Sequence, residues 1–208
     1  MKRVALAAAV ALTLAVAAVA PAGAHQVTPA TTAATPAPGA WCGGSLWKLM
    51  TLSDTNAKTV KWGSVQTGIP NIAALKAPTR ILATQRTAFE KQMWSLTVVI
   101  ERYRVQSNGE IALELFDVPS SSYMNAYMPN PQCLSAKTRG RAQIVAARNA
   151  FTAACPAATP DWQPLGATVT LTGVGFWNPV KTTLGALGNG AELRPVVGFS
   201  LINGCGKF

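Results

Sequence analysis

Few residues in this chain can do chemistry, and their spacing excludes most catalytic schemes. The one histidine is His25, in a stretch of Thr, Ala and Pro. At the N-terminus of a processed chain its amine and imidazole would form half of a copper chelate. The second histidine such a site uses does not exist here. His25 therefore reads as an exposed linker residue, and no imidazole is left to activate a serine or cysteine nucleophile. Cysteines stand at 42, 133, 155 and 205. No pair has the short Cys-x-x-Cys spacing of a zinc site. An even count in an exported chain implies two disulfides, with three possible pairings. Cys42–Cys133 with Cys155–Cys205 is favoured, because it would pin both ends of the folded region.

Two constellations remain. One is cationic and aromatic: Arg102, Arg104, Tyr123 and Tyr127, joined by Lys181, Asn189, Glu192 and Arg194 further along. Arginine meets anionic groups and rings stack on bases or sugars, as in small barrels that bind oligonucleotides and oligosaccharides. The other is acidic: Glu114, Asp117 and Glu192 for a metal or base, with Arg102 and Arg194 against phosphate charge. That set would suit a metal-dependent, nuclease-like hydrolase. Glu114 and Asp117 have opposite parity on a strand, so their side chains diverge. The reading therefore leans away from an enzyme and implies no cofactor and no metal.

These side chains must be positioned by residues 94–129, which read as three antiparallel strands, 94–105, 110–118 and 123–128. Each is rich in Val, Ile, Leu, Tyr or Phe and bounded by turn residues. Parity decides the first turn. A two-residue Asn108-Gly109 loop would set Arg104 against Leu113 and Arg102 against Leu115. A three-residue loop, 107–109, with Gly109 at positive φ sets Val105 against Ile111, Tyr103 against Leu113 and Arg102 against Glu114. A one-residue slip would turn the core face outward, so the register is well specified. Trp94, Leu96, Val98 and Ile100 share one parity, whereas Tyr103 and Val105 have the other. Both sets face inward only if the strand bulges near Glu101, as a small closed barrel requires. Arg102, Arg104, Glu114, Phe116, Tyr123, Asn125 and Tyr127 then face outward.

The clearest helix is 138–154, with Ile144, Ala147, Phe151 and Ala154 on one face and Pro156 after it. Arg139, Arg141 and Arg148 read as its solvated side. Strands follow at 167–177 and 192–202. Gly173-Val174-Gly175 marks a bend in the first of them, and the loop between them, 178–190, is rich in Gly and polar residues. The order β-β-β-α-β-β is that of an OB-fold-like, five-stranded Greek-key barrel, all-β with one helix; another small β-barrel or sandwich is the alternative. Residues 41–90 carry Trp41, Trp47 and Trp62 and are expected to wrap the barrel as an N-terminal extension. Within them, 46–52 reads as a short strand and 71–76 as a short helix capped by Asn71.

The first residues describe the route of the chain. Lys2-Arg3 is followed by an apolar run, 4–20, broken only by Thr13, and by Ala22-Gly23-Ala24. This is a secretory signal peptide, 1–24, ahead of a disordered linker, 25–40, and one domain, 41–208. The mature chain is then secreted, periplasmic or bound in the cell envelope, with no transmembrane segment. The chain has 18 basic and 8 acidic residues, so losing two basic residues with the leader leaves 16 against 8, a net charge of +8. A basic exported domain favours anionic partners: nucleic acid, acidic glycans or an envelope component.

Several segments resemble a family of uncharacterised secreted bacterial domains. Residues 124–133, MNAYMPNPQC, resemble its MIAEIPDPxC segment, and residues 110–115, EIALEL, its DIHLVL strand. Residues 173–177, GVGFW, through 189–196, NGAELRPV, resemble its GVGFFD…HGQxGxAxNxIELHPVL ending. Residues 47–54 look like a degraded WxVKTLxD opening. The likeness runs over most of residues 42–199. Where the family pattern has histidine, this chain has Ala112, Lys181 and Arg194; where it has glutamate, the chain has Tyr127. Asn189, Glu192 and Pro195 are kept. If those histidines and that glutamate form a metal or acid–base site, the resemblance implies that this copy has lost it. The expected function is a non-catalytic module binding an anionic ligand. A metal-dependent hydrolase and a structural envelope domain are the alternatives.

Overall fold

The computed structural model describes residues 42–205. The expected signal peptide and linker, with His25 and Trp41, lie outside the described residues. The described chain is mostly β, with strands β1 Lys61–Gln66, β2 Gln92–Val105, β3 Ile111–Asp117, β4 Ser122–Met128, β5 Gln163–Trp177 and β6 Ala191–Asn203. The helices are α1 Trp47–Met50, α2 Ile69–Ala73 and α3 Arg141–Ala154. The strands form one six-stranded mixed sheet in the order β1-β2-β3-β4-β6-β5, and β5 pairs back onto β2. Strands β2 to β6 thus close into a ring. β1 stays outside it, parallel to β2. Among the described residues no helix is long and apolar enough to cross a membrane.

The register between β2 and β3 follows side-chain parity. Val105 pairs with Ile111, Tyr103 with Leu113 and Arg102 with Glu114. The turn between them has Gly109 at φ 76°, and its N–H donates to Gln106 O at 2.8 Å. A Cβ-bearing residue would be strained at that φ, which is why a glycine closes the loop. The register shifts between Ile100 and Arg102, so the bulge sits at Glu101. On its two sides Leu96, Ile100 and Tyr103 all point inward and are buried. Ile111, Leu113, Leu115, Met124, Ala126, Leu171 and Leu193 complete the same core. Each large aliphatic side chain there contributes about 1.5–3 kcal/mol by leaving water.

Two disulfides, Cys42–Cys133 and Cys155–Cys205, tie the start of the described chain to the end of β4 and the end of α3 to the end of β6. They span 91 and 50 residues. Closing loops of that length in the unfolded chain stabilises the fold by about 4 kcal/mol each on the chain-entropy account.

The leading third departs from expectation. The stretch expected as a strand at 46–52 contains helix α1, since a short apolar run does not distinguish helix from strand. Helix α2 begins at Ile69 rather than at Asn71, with Gly68 as N-cap and Pro70 inside its first turn. Proline has no N–H to lose there. β1 carries almost no apolar alternation and is held as an exposed edge strand by β2. Trp47 and Trp62 are only half-buried.

The arginines of α3 are less solvated than expected. Arg148 donates from Nη1 to Met128 O at 2.8 Å and from Nη2 to Gly109 O at 2.8 Å. Arg139, just before the helix, donates to Ala57 O and Val60 O at 2.7 and 2.8 Å and lies over Trp62. Arg141 is exposed.

Candidate functional site

Strand pairing aligns the outward residues of β2, β3 and β4 in rows. Arg102, Glu114 and Asn125 form one row, and Arg104, Ala112 and Tyr127 the next. β6 adds Glu192 and Arg194 beside β4. The rows are not open. Tyr127, Asn125, Glu114, Glu192 and Arg194 are all buried. The loop 178–190 covers them: Gly185 lies against Asn125 and Glu114, and Thr183 lies beside the Tyr127 hydroxyl.

Beneath that loop the charges satisfy one another. Arg194 donates from Nε to Glu110 Oε1 at 3.0 Å and from Nη2 to Glu110 Oε2. Its Nη1 donates to Glu192 Oε1 at 3.4 Å, and its guanidinium lies 4.4 Å from the centre of the Tyr127 ring. Burial alone would lower the Arg194 pKa, but Glu110 and Glu192 outweigh it and hold the guanidinium charged. Burial pushes the Glu192 carboxyl up to about 7, against the opposing pull of Arg194 and of the Asn178 amide. Burial, then the Glu192 charge, drives the Tyr127 phenol far above its ordinary range. Ala112, Tyr127 and Arg194, where the resembling pattern has His, Glu and His, are thus neighbours. Glu110, expected only as the first residue of the second strand, is a fully buried carboxylate.

Arg102 and Tyr123 reach solvent. With Glu101, Glu114 and the segment 184–186 they line a groove of about 360 Å3. Arg102 Nε is 3.7 Å from Glu114 Oε2. Burial raises the Glu114 carboxyl, and Arg102 pulls it back. The Tyr123 hydroxyl lies beside Glu101, which raises the phenol, while its ring packs on Phe116. Two carboxylates therefore face one arginine. Arg104 lines no part of this groove and sits over Trp162. The acidic constellation does not converge. Asp117 accepts from Ser120 Oγ in the turn after β3, and Glu192 is held by Asn178 and Arg194. Among the described residues no group of three or more His, Cys, Asp or Glu is placed to hold a metal.

Lys181 and Asn189 lie elsewhere, in a trough centred on Trp177. Asn189 shapes it: its Nδ2 donates to Ile72 O at 2.9 Å and Leu75 O at 3.1 Å, which ties the loop to α2. Two adjoining grooves, of about 420 and 390 Å3, share Pro78 and Trp177. Phe89, Trp94 and Trp177 make the floor of the first, with ring centres 5.7 and 4.7 Å apart. Phe89 is placed by Thr87-Ala88-Phe89-Glu90, a capping box. Thr87 N–H donates to Glu90 Oε2 at 2.9 Å, and Glu90 N–H to Thr87 Oγ1 at 3.4 Å. Gly175 leaves room for it, since a Cβ there would stand 2.5 Å from Phe89 O. Arg86 braces the turn from below, donating to Leu49 O, Glu90 O and Asp54. The Thr-x-x-Glu spacing was the sequence signal for this arrangement.

Lys76 and Lys181 are exposed at the trough, and no carboxylate lines either groove. Among the described residues neither lysine forms an ion pair. No protein-family model matches this chain, and a search of curated proteins found no match.

Proposed function

We propose that this chain is an exported, non-catalytic binding domain for an anionic ligand, seated in the trough at Trp177. The closed ring is read as an OB-like Greek-key barrel. The pairing order β2-β3-β4-β6-β5 and the position of α3 between β4 and β5 support that reading. The leader-like residues 1–24 and the two disulfides support export.

One observation carries the location. Two lysines and no carboxylate line the trough, whereas two carboxylates oppose the single arginine of the groove at Arg102. Local charge sign directs an anion to the first and away from the second. Nucleic acid, an acidic glycan and an acidic envelope component share the required chemistry.

Inorganic polyphosphate is the test probe, titrated over a range of salt. The logarithm of affinity is expected to fall linearly with log salt, and Lys76→Ala and Lys181→Ala each to flatten the slope by about one unit. Arg102→Ala is expected to leave the slope alone. No association at low salt, or a slope that neither lysine variant changes, refutes the reading.

A further inference from the structure

We infer that the ligand of this trough is a monomeric amphiphile: one alkyl or acyl chain ending in a phosphate or carboxylate. The inference rests on the reading of the trough as an anion site and narrows it to one chemical class.

The two halves of the trough differ in chemistry. On one side of Trp177 the groove is bounded by Val65, Leu75 and Pro78 over the three-ring floor. Both indoles spend their N–H inside the protein. Trp94 Nε1 donates to Phe89 O at 3.1 Å, and Trp177 Nε1 to Thr87 Oγ1 at 3.0 Å. They therefore offer this groove carbon rather than a hydrogen-bond donor. The rings are also mutually tilted, Phe89 by 34° to Trp94 and 50° to Trp177. A flat base or sugar finds no level plate there, but a flexible chain can follow the curve. Val65, on the edge strand, is 45% exposed and leaves an apolar rim.

On the other side of Trp177 the lining is mixed, with Ser45, Thr79, Asn178 and Lys181 beside Leu46, Ile81 and Pro179. Because the halves meet at Pro78 and Trp177, a chain lying in the first delivers its head to the second. Lys181 then meets the negative charge, and Lys76 stands at the rim of the chain-binding half. Such a ligand uses the apolar groove and the uncompensated lysines together, while Phe89 and Trp177 also serve the core from below.

The experiment compares octyl, decyl and dodecyl phosphate, below the concentrations at which they form micelles, with inorganic phosphate and polyphosphate. Affinity is expected to rise about fourfold for each methylene seated in the groove, then level off when the groove is full. Val65→Asn places an uncharged polar group at the exposed apolar rim without touching the core. It is expected to weaken dodecyl phosphate by about tenfold or more and to spare polyphosphate. Lys181→Ala is expected to weaken both. Lysine-dependent polyphosphate binding with no chain-length dependence overturns the amphiphile and leaves the anion site standing. Absence of binding to every probe overturns both. Dodecyl phosphate binding that Val65→Asn leaves unchanged, or binding to phosphatidic acid vesicles without binding to monomeric alkyl phosphate, also overturns the amphiphile.

Discussion

The outer face of β3 and β4 and the trough at Trp177 are both built of rings and charges, but they treat charge in opposite ways. On the outer face Arg194 is closed in by Glu110, Glu192 and the Tyr127 ring. Those partners stabilise one another, and little field is left for a ligand. At the trough Lys76 and Lys181 are exposed and outside every ion pair of the described residues. The difference teaches that cation-plus-aromatic composition does not by itself mark a binding surface. What matters is whether the protein has already supplied the counter-charge.

The comparison can be broken at its most demanding point first. Arg194→Met leaves Glu110 and Glu192 buried without their cation, and about 3–5 kcal/mol of stability is expected to be lost. Urea unfolding at pH 7 with the disulfides intact measures it. A loss under about 1 kcal/mol would refute the assignment of the outer face to stability.

A smaller effect is expected at Glu192. Burial keeps its proton on up to about pH 7 in the folded chain, whereas the ordinary value is 4.5. The folded state therefore binds more protons than the unfolded state across that window. The group's contribution is fully present below about pH 4.5 and is lost as pH rises through 7. Glu192→Gln removes this dependence. Relative to the parent, the variant is expected to gain roughly 2–3 kcal/mol between pH 4.5 and pH 8. Urea midpoints at the two pH values test it, and parallel profiles for parent and variant would exclude Glu192 as the titrating group.

The smallest effect sharpens the comparison from the exposed edge of the outer face. Tyr123 reaches solvent and lies beside Glu101. Tyr123→Phe is expected to change stability by no more than about 0.5 kcal/mol and to leave polyphosphate affinity unchanged. A clear loss of polyphosphate affinity would move the anion site back to the face of β4.

Much of the ring was legible because alternation is a local property. The three-residue turn at Gly109, the pairing of Tyr103 with Leu113 and the bulge at Glu101 follow from which residues cannot share a face. The candidate site was legible only in part. Parity put Tyr127 on the outer side of β4, and it is there. It could not reveal that Thr183 and Gly185, more than fifty residues further on, lie over that side. Lys181 and Asn189 stand out by residue type, but nothing in their local sequence places them near Trp94, Trp177 and Phe89. Phe89 and Trp177 are core residues whose edges the tertiary structure brings to the floor of a groove. β1 and α1 were missed for a related reason: neither has a hydrophobic period of its own, and both are held by the strands and turns they meet.

The amino-acid order alone determined the register of β2 on β3 and the absence of an imidazole partner for His25. Each depends on side-chain parity or on residue identity, and neither requires knowing what lies across space. Cysteine number and position also pointed to the disulfide pairing found in the structure. Tertiary structure alone decided which charged side chains stay available. Coulomb attraction and desolvation act on neighbours in space, and the loop between β5 and β6 gave Arg194 and Tyr127 such neighbours while leaving Lys181 in water.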